Sequence, residues 1–115
     1  MILTTRAKVM LVEDDPDDIE LVKLALSSQF IPNDLKIVQD GEEALDYLMN
    51  LNSDQLPDLV LLDLNLPKVN GLEVLKQLRA NQNTKFLPLI IFTSSEQQED
   101  LKKSYAYGAN AFIRK

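Results

Sequence analysis

The chain is 115 residues long, which fits one domain with a single core, and it is 45% apolar and 26% charged, as globular proteins are. No apolar run approaches the roughly 20 residues of a membrane span, residues 1–6 lack signal-peptide character, and the absence of Cys excludes a disulfide framework and suits the cytoplasm. A net charge of -6 argues against direct binding of nucleic acid, and without Cys or His any metal site is built from oxygens, for a hard ion such as Mg2+ or Ca2+.

Val9-Met10-Leu11-Val12 is a continuous apolar run, suited to a strand covered on both faces of a parallel sheet. Residues 13–20 then carry an acid at every position except Pro16 and Ile19. Read blandly, this is a solvated acidic turn capping a helix. Pro16 can occupy the first turn of that helix, and Ile19, Val22 and Leu26 recur at helical spacing. Residues 35–39 are more mixed, which favours an edge strand. Asp40 followed by Glu43 resembles a capping box, opening a helix that buries Ala44, Leu45 and Leu48. Leu59-Val60-Leu61-Leu62 is a second buried strand. Asn70 and Glu73 repeat the capping pair ahead of Leu72, Leu75 and Leu78. Leu89-Ile90-Ile91-Phe92 is the third buried strand. Ser95 and Gln98 make one more capping pair, but their helix has only Leu101, Tyr105 and a few alanines as anchors, which fits a mobile element or a signalling surface. Gly108 is placed to end it in a left-handed conformation, and Ala111-Phe112-Ile113 is a short last strand.

Strands and helices thus alternate from β to β, which predicts right-handed crossovers and a doubly wound α/β sheet. Ligands gather beyond the carboxyl ends of such strands. Glu13, Asp14 and Asp15 follow the first strand, Asp63 the third, Thr93-Ser94-Ser95 the fourth and Arg114-Lys115 the fifth. Carboxylates brought together repel one another, and a divalent cation resolves the conflict. Mg2+ accepts one or two carboxylates, waters and a phosphate oxygen. A Lys and a Thr hydroxyl can meet the remaining phosphoryl oxygens, and a carboxylate is itself a competent phosphoryl nucleophile.

Six segments carry a resemblance over nearly the whole length. They are Leu11-Val12-Glu13-Asp14-Asp15, Asp40-Gly41-Glu42-Glu43-Ala44-Leu45, Asp58-Leu59-Val60-Leu61-Leu62-Asp63-Leu64-Asn65-Leu66-Pro67, Asn70-Gly71, Phe92-Thr93-Ser94 and Gly108-Ala109-Asn110-Ala111-Phe112-Ile113-Arg114-Lys115. In this order and spacing the chain resembles the receiver domain of a two-component response regulator. The run 13–18, with Ala44-Leu45-Asp46-Tyr47-Leu48, is similar to single-domain regulators that partner bacterial phytochrome kinases.

The resemblance implies a flavodoxin-like, five-stranded parallel sheet of order 2-1-3-4-5, in one domain spanning residues 1–115. It implies that Asp63 takes a phosphoryl group from a sensor histidine kinase, in a Mg2+-dependent reaction, and that the domain relays the signal through a conformational change. At most it catalyses its own phosphorylation and dephosphorylation. Asp14 and Asp63 would ligate Mg2+ directly, Glu13 through water and Asn65 through its backbone carbonyl. Thr93 would engage the phosphoryl group, Lys115 would form a salt bridge to it, and Phe112 stands at the switch position that moves with the Thr. The family continues past the Lys with a final helix, which this sequence is expected to lack, so one sheet face is expected to be uncovered and to drive formation of a homodimer. Two rival readings compete with this one. A hydrolase of the haloacid dehalogenase type has a second Asp two residues after the nucleophile, where this chain has Asn65. A receiver-like binding module without phosphorylation is opposed by the acids, Thr93 and Lys115.

Overall fold

The computed structural model describes residues 6–28 and 32–115, so most of the amino-terminal segment considered above lies outside the described residues. The elements are β1 (Ala7–Val12), α1 (Pro16–Ser27), β2 (Asn33–Val38), α2 (Gly41–Met49), a 3-10 turn (Ser53–Gln55), β3 (Leu59–Leu62), α3 (Gly71–Ala80), β4 (Leu89–Thr93), α4 (Gln98–Ala106) and β5 (Ala111–Arg114). All strand pairs are parallel and their order is β2-β1-β3-β4-β5, the doubly wound arrangement expected. The mixed β2 is an edge strand, as its composition predicts. Among the described residues no helix is long and apolar enough to cross a membrane.

The sheet separates two apolar layers. Met10, Val12, Val60, Leu62, Leu89 and Ile91 pack on one face with Ala44, Leu45 and Leu48 of α2 and Val74, Leu75 and Leu78 of α3. On the other face Leu11 packs with Ile19 and Val22 of α1, flanked by Leu35, Ile37, Leu61 and Phe92, which are only partly buried. Towards β5 this second face is thinly covered, and Ile113 is 47% exposed.

Local chemistry sets the helix starts. Asp40 accepts from the Glu43 amide at 2.7 Å and Asn70 from the Glu73 amide at 3.0 Å, so both predicted caps form. Asp15 caps α1, accepting from the Asp17 amide at 2.8 Å, with Pro16 in the first turn as expected. The start expected at Ser95 differs. α4 begins at Gln98 with Gln97 as its cap residue; the Ser95 hydroxyl accepts from the Gln97 amide at 3.3 Å and donates to the Asp100 carboxylate at 2.5 Å, closing a turn ahead of the helix. Tyr105 also departs from expectation, being 51% exposed, and Ser104 is the buried residue of α4. The helix ends at Gly108, whose φ of +103° is the left-handed value a side chain resists. Phe112 is half-buried against the α2–α3 layer.

Candidate functional site

Backbone ladders place the acids. Glu13, one residue past β1, donates its amide to the Val38 carbonyl at 3.0 Å, and Asp63, one residue past β3, donates to the Val12 carbonyl at 3.1 Å. The Lys115 amide donates to the Thr93 carbonyl at 2.8 Å, which carries the β5 chain to the same edge. Gly71 lets α3 approach from below. A Cβ there would stand 2.1 Å from the Asp63 carbonyl oxygen, so only Gly permits this close approach.

Glu13, Asp14 and Asp63 present carboxylate oxygens all within 4.8 Å of one another. Glu13 and Asp63 are 1% and 6% exposed, while Asp14 is exposed at the mouth. Asp63 Oδ1 accepts from the Leu64 amide at 2.7 Å and weakly from the Asn65 amide at 3.4 Å, leaving Oδ2 turned to the cavity. The Lys115 ammonium spans the acids, donating to Glu13 Oε1 at 2.5 Å, Asp18 Oδ2 at 2.7 Å and Asp63 Oδ2 at 3.3 Å. Its Nζ lies 5.5 Å from the centre of the Phe92 ring.

The charges are strained in the sense burial dictates. Desolvation pushes the Glu13 carboxyl up to about 7, against the pull of the Lys115 hydrogen bond and with a further push from the Asp63 charge. Burial alone would lower the Lys115 ammonium, but its bonds to Asp18 and Glu13 raise it above the usual lysine range. For Glu13 the cost of burial outweighs the pairing; for Lys115 the pairing wins. The donor set fits a hard divalent cation: it is all oxygen, and two of its carboxylates are desolvated with one ammonium to share.

The structure brings Glu13, Asp14, Asp63, Asn65 and Lys115 to one cavity of about 410 Å³, together with Asp15, Pro16, Asp18 and Ser94. Asp15 is taken by its capping bonds, as the bland reading of the acidic turn held. Thr93 and Phe112 do not line this cavity. Thr93 is fully buried and its hydroxyl accepts from the Ser95 amide at 3.3 Å, so Ser94 occupies the wall instead. Asp18 was missed from the sequence. Its place in the first turn of the helix that Pro16 opens, directly after the acids at the strand end, is the signal that could have found it.

A parallel α/β sheet of this order, with an acidic triad and a lysine at its carboxyl edge, is the architecture of a signalling receiver domain. The chain belongs to the response regulator receiver domain family, whose sequence profile matches residues 9–115. It is 36% identical over 110 residues to the response regulator Rcp1 of Synechocystis sp., a match covering 93% of this chain and 75% of Rcp1. It superposes on the phosphorylated cyanobacterial phytochrome response regulator RcpA with a TM-score of 0.89 at 37% identity, covering 96% of this chain and 81% of RcpA. The Mn2+-bound form of Rcp1 gives a TM-score of 0.88 at 35% identity, with 95% of this chain and 81% of that chain covered. A receiver domain of a sensor histidine kinase from Pseudomonas aeruginosa PAO1, with Mg2+ in its active-site cleft, gives 0.80 at 26% identity, covering 96% and 86%.

Proposed function

We propose that the chain acts as one receiver domain that accepts a phosphoryl group on Asp63 from a phosphohistidine of a sensor histidine kinase. The observation that carries this is the setting of Asp63. It is buried at a strand end, one oxygen is fixed by backbone amides, and the other faces Lys115 beside Glu13 and Asp14. Asp63 Oδ2 forms the new O–P bond as the donor's P–N bond breaks. The electron pair of that bond goes to the imidazole nitrogen, which takes up a proton.

Glu13, Asp14, Asp63 and the Asn65 backbone carbonyl would hold Mg2+, which when bound supplies positive charge to the phosphoryl oxygens and to the clustered acids. Lys115 supplies a second positive charge from the β5 side. Because the Asp63 oxygens are oriented before reaction, little reorganisation is needed. Thr93 would turn its hydroxyl from the Ser95 amide to the phosphoryl group, and Phe112, paired with Ile91 two residues before Thr93, would move with it. α4 suits this motion, since Ser104 is its buried residue and the rest is lightly anchored.

The similar structures of phytochrome and bacteriophytochrome response regulators point to a kinase of that class as the donor. The domain is then a cytoplasmic signalling module, acting on no separate substrate, and with a charge of -6 it signals through protein contacts rather than by gripping nucleic acid. Self-association belongs to the same reading. Leu61 and Phe92 are half-covered and Ile113 is 47% exposed on the α1 face, an apolar area that a two-fold dimer would bury.

Phosphotransfer tests the proposal. A phytochrome-type histidine kinase labelled on its phosphohistidine should pass the label to the wild-type chain when Mg2+ is present. It should keep the label when offered Asp63→Asn, or in the presence of a chelator. Label appearing on Asp63→Asn would overturn the assignment.

A further inference from the structure

The Lys115 ammonium has three carboxylate partners, and they are not equivalent. Glu13 and Asp63 belong to the triad that a divalent cation would use. Asp18 stands outside it, on the first turn of α1, with its Oδ2 2.7 Å from Lys115 Nζ and its side chain 24% exposed. The contact to Asp18 is shorter than that to Asp63, at 3.3 Å. An ammonium and a divalent cation that drew on the same two acids would repel each other across a few ångströms. For both to be present, the ammonium needs an anion the metal does not use.

We propose that Asp18 is a positioning residue for Lys115, holding its ammonium at the edge of the site when a divalent cation draws Glu13 and Asp63 away. The inference rests on the reading of Glu13, Asp14 and Asp63 as metal-binding acids. The geometry suits the task at both ends. Lys115 pivots from a backbone pinned to the Thr93 carbonyl, so its side chain can swing while its root stays fixed. Asp18 sits at the rim of the cavity on the first turn of α1, where its partly exposed carboxylate can follow the ammonium. The same bond keeps the positive charge within reach of the oxygen on which the phosphoryl group would be received. Asp18 therefore serves two ends at once, leaving the triad open to the cation and the ammonium close to Asp63.

Three measurements on the full chain test this. Asp18→Asn is compared with Asp17→Asn, which removes the same charge from the neighbouring exposed position of the same turn. Asp18→Glu serves as the conservative rescue. Mg2+ is titrated into each by calorimetry, and the Lys115 side-chain signals are followed by NMR in metal-free protein. Asp18→Asn should weaken Mg2+ binding about fivefold, Asp17→Asn about twofold or less, as a screened remote charge does, and Asp18→Glu should lie near wild type. The Lys115 side-chain signals should move in Asp18→Asn and stay in place in Asp17→Asn. In a Lys115→Met background the two Asn variants should become equivalent, since the effect runs through the ammonium. Equal weakening of Mg2+ binding by both Asn variants when Lys115 is present, or an unmoved Lys115 signal in Asp18→Asn, would overturn the proposal. Failure of the wild-type chain to bind Mg2+ would overturn the metal reading, and this inference with it.

Discussion

Replacing Lys115 by Met removes one charge and leaves two buried acids facing each other. In the folded chain the ammonium touches Glu13, Asp18 and Asp63, and its side chain is 12% exposed against 1% for Glu13 and 7% for Asp63. Stripping one partner from a fully buried ion pair costs about 3–5 kcal/mol. Here the group lies near a mouth and Asp18 is partly solvated, so about 2–3 kcal/mol is expected without metal near neutral pH. The cost depends on pH, and the sign follows from Glu13. Its folded value, about 7, lies above the ordinary 4.5, so the folded state binds the extra proton and stability declines as pH rises between those values. Removing Lys115 removes a pull that lowers Glu13, so in the variant the decline extends further up in pH. The gap between wild type and Lys115→Met should be smaller at about pH 5, where Glu13 is protonated and only Asp18 and Asp63 still pair with the ammonium, and full at about pH 8. Mg2+ should narrow it at high pH by replacing the lost charge. Urea unfolding followed by circular dichroism, with chelator and then with Mg2+, reads all of this. Equal midpoints for the two proteins at about pH 8 without metal would refute the reasoning.

Mg2+ at ten times its dissociation constant should stabilise the wild-type chain by about 1.4 kcal/mol, visible as a raised melting temperature, and should do far less for Asp14→Asn. Gly71→Ala should cost about 2–3 kcal/mol and weaken Mg2+ binding, because the new Cβ would meet the Asp63 carbonyl at 2.1 Å and the Leu64 Cα at 2.7 Å, both backbone atoms; denaturant midpoints and calorimetry check it. Lys68→Gly should be mildly stabilising, by about 0.5 kcal/mol in a urea titration. Lys68 holds a left-handed φ of 68°, and its 3.8 Å ion pair with Asp40 is exposed and weak. Sedimentation at low micromolar concentration should find self-association, and a lone monomer would remove the dimer from the account.

How far the sequence could be read differs from element to element. Continuous apolar runs betrayed β1, β3 and β4 because strands covered on both faces cannot alternate polar and apolar residues. Asp40 and Asn70 were legible as caps because their carboxylate and amide oxygens are free to turn back on the chain. Ser95 was not. Its hydroxyl accepts from the Gln97 amide and donates to Asp100, a local turn that delays the helix start and that the capping pattern does not distinguish from a cap. Tyr105 counted as an anchor by residue type alone, yet α4 turns it to solvent and buries Ser104, whose hydroxyl is satisfied by the Asp100 carbonyl at 2.7 Å.

At the site, Glu13, Asp14 and Asp63 were readable because they lie within two residues of a strand end, and strand ends are where this architecture gathers ligands. Lys115 was readable for the same reason. Asp18 was lost among its acidic neighbours, since a run of like charges looks alike along the chain and only the fold separates the member that reaches the Lys115 ammonium from those that do not. The position of the Thr93 hydroxyl could not be read either, because it depends on a rotamer and on one bond to the Ser95 amide.

The central claim is that Asp63 is the phosphoacceptor and that a divalent cation is required. Intact mass after incubation with a small phosphodonor and Mg2+ tests it most directly. The wild-type chain should gain one phosphoryl group, about 80 Da, while Asp63→Asn and the chelated wild type should gain nothing. A gain by Asp63→Asn, or an undiminished gain by the wild type in chelator, would contradict it.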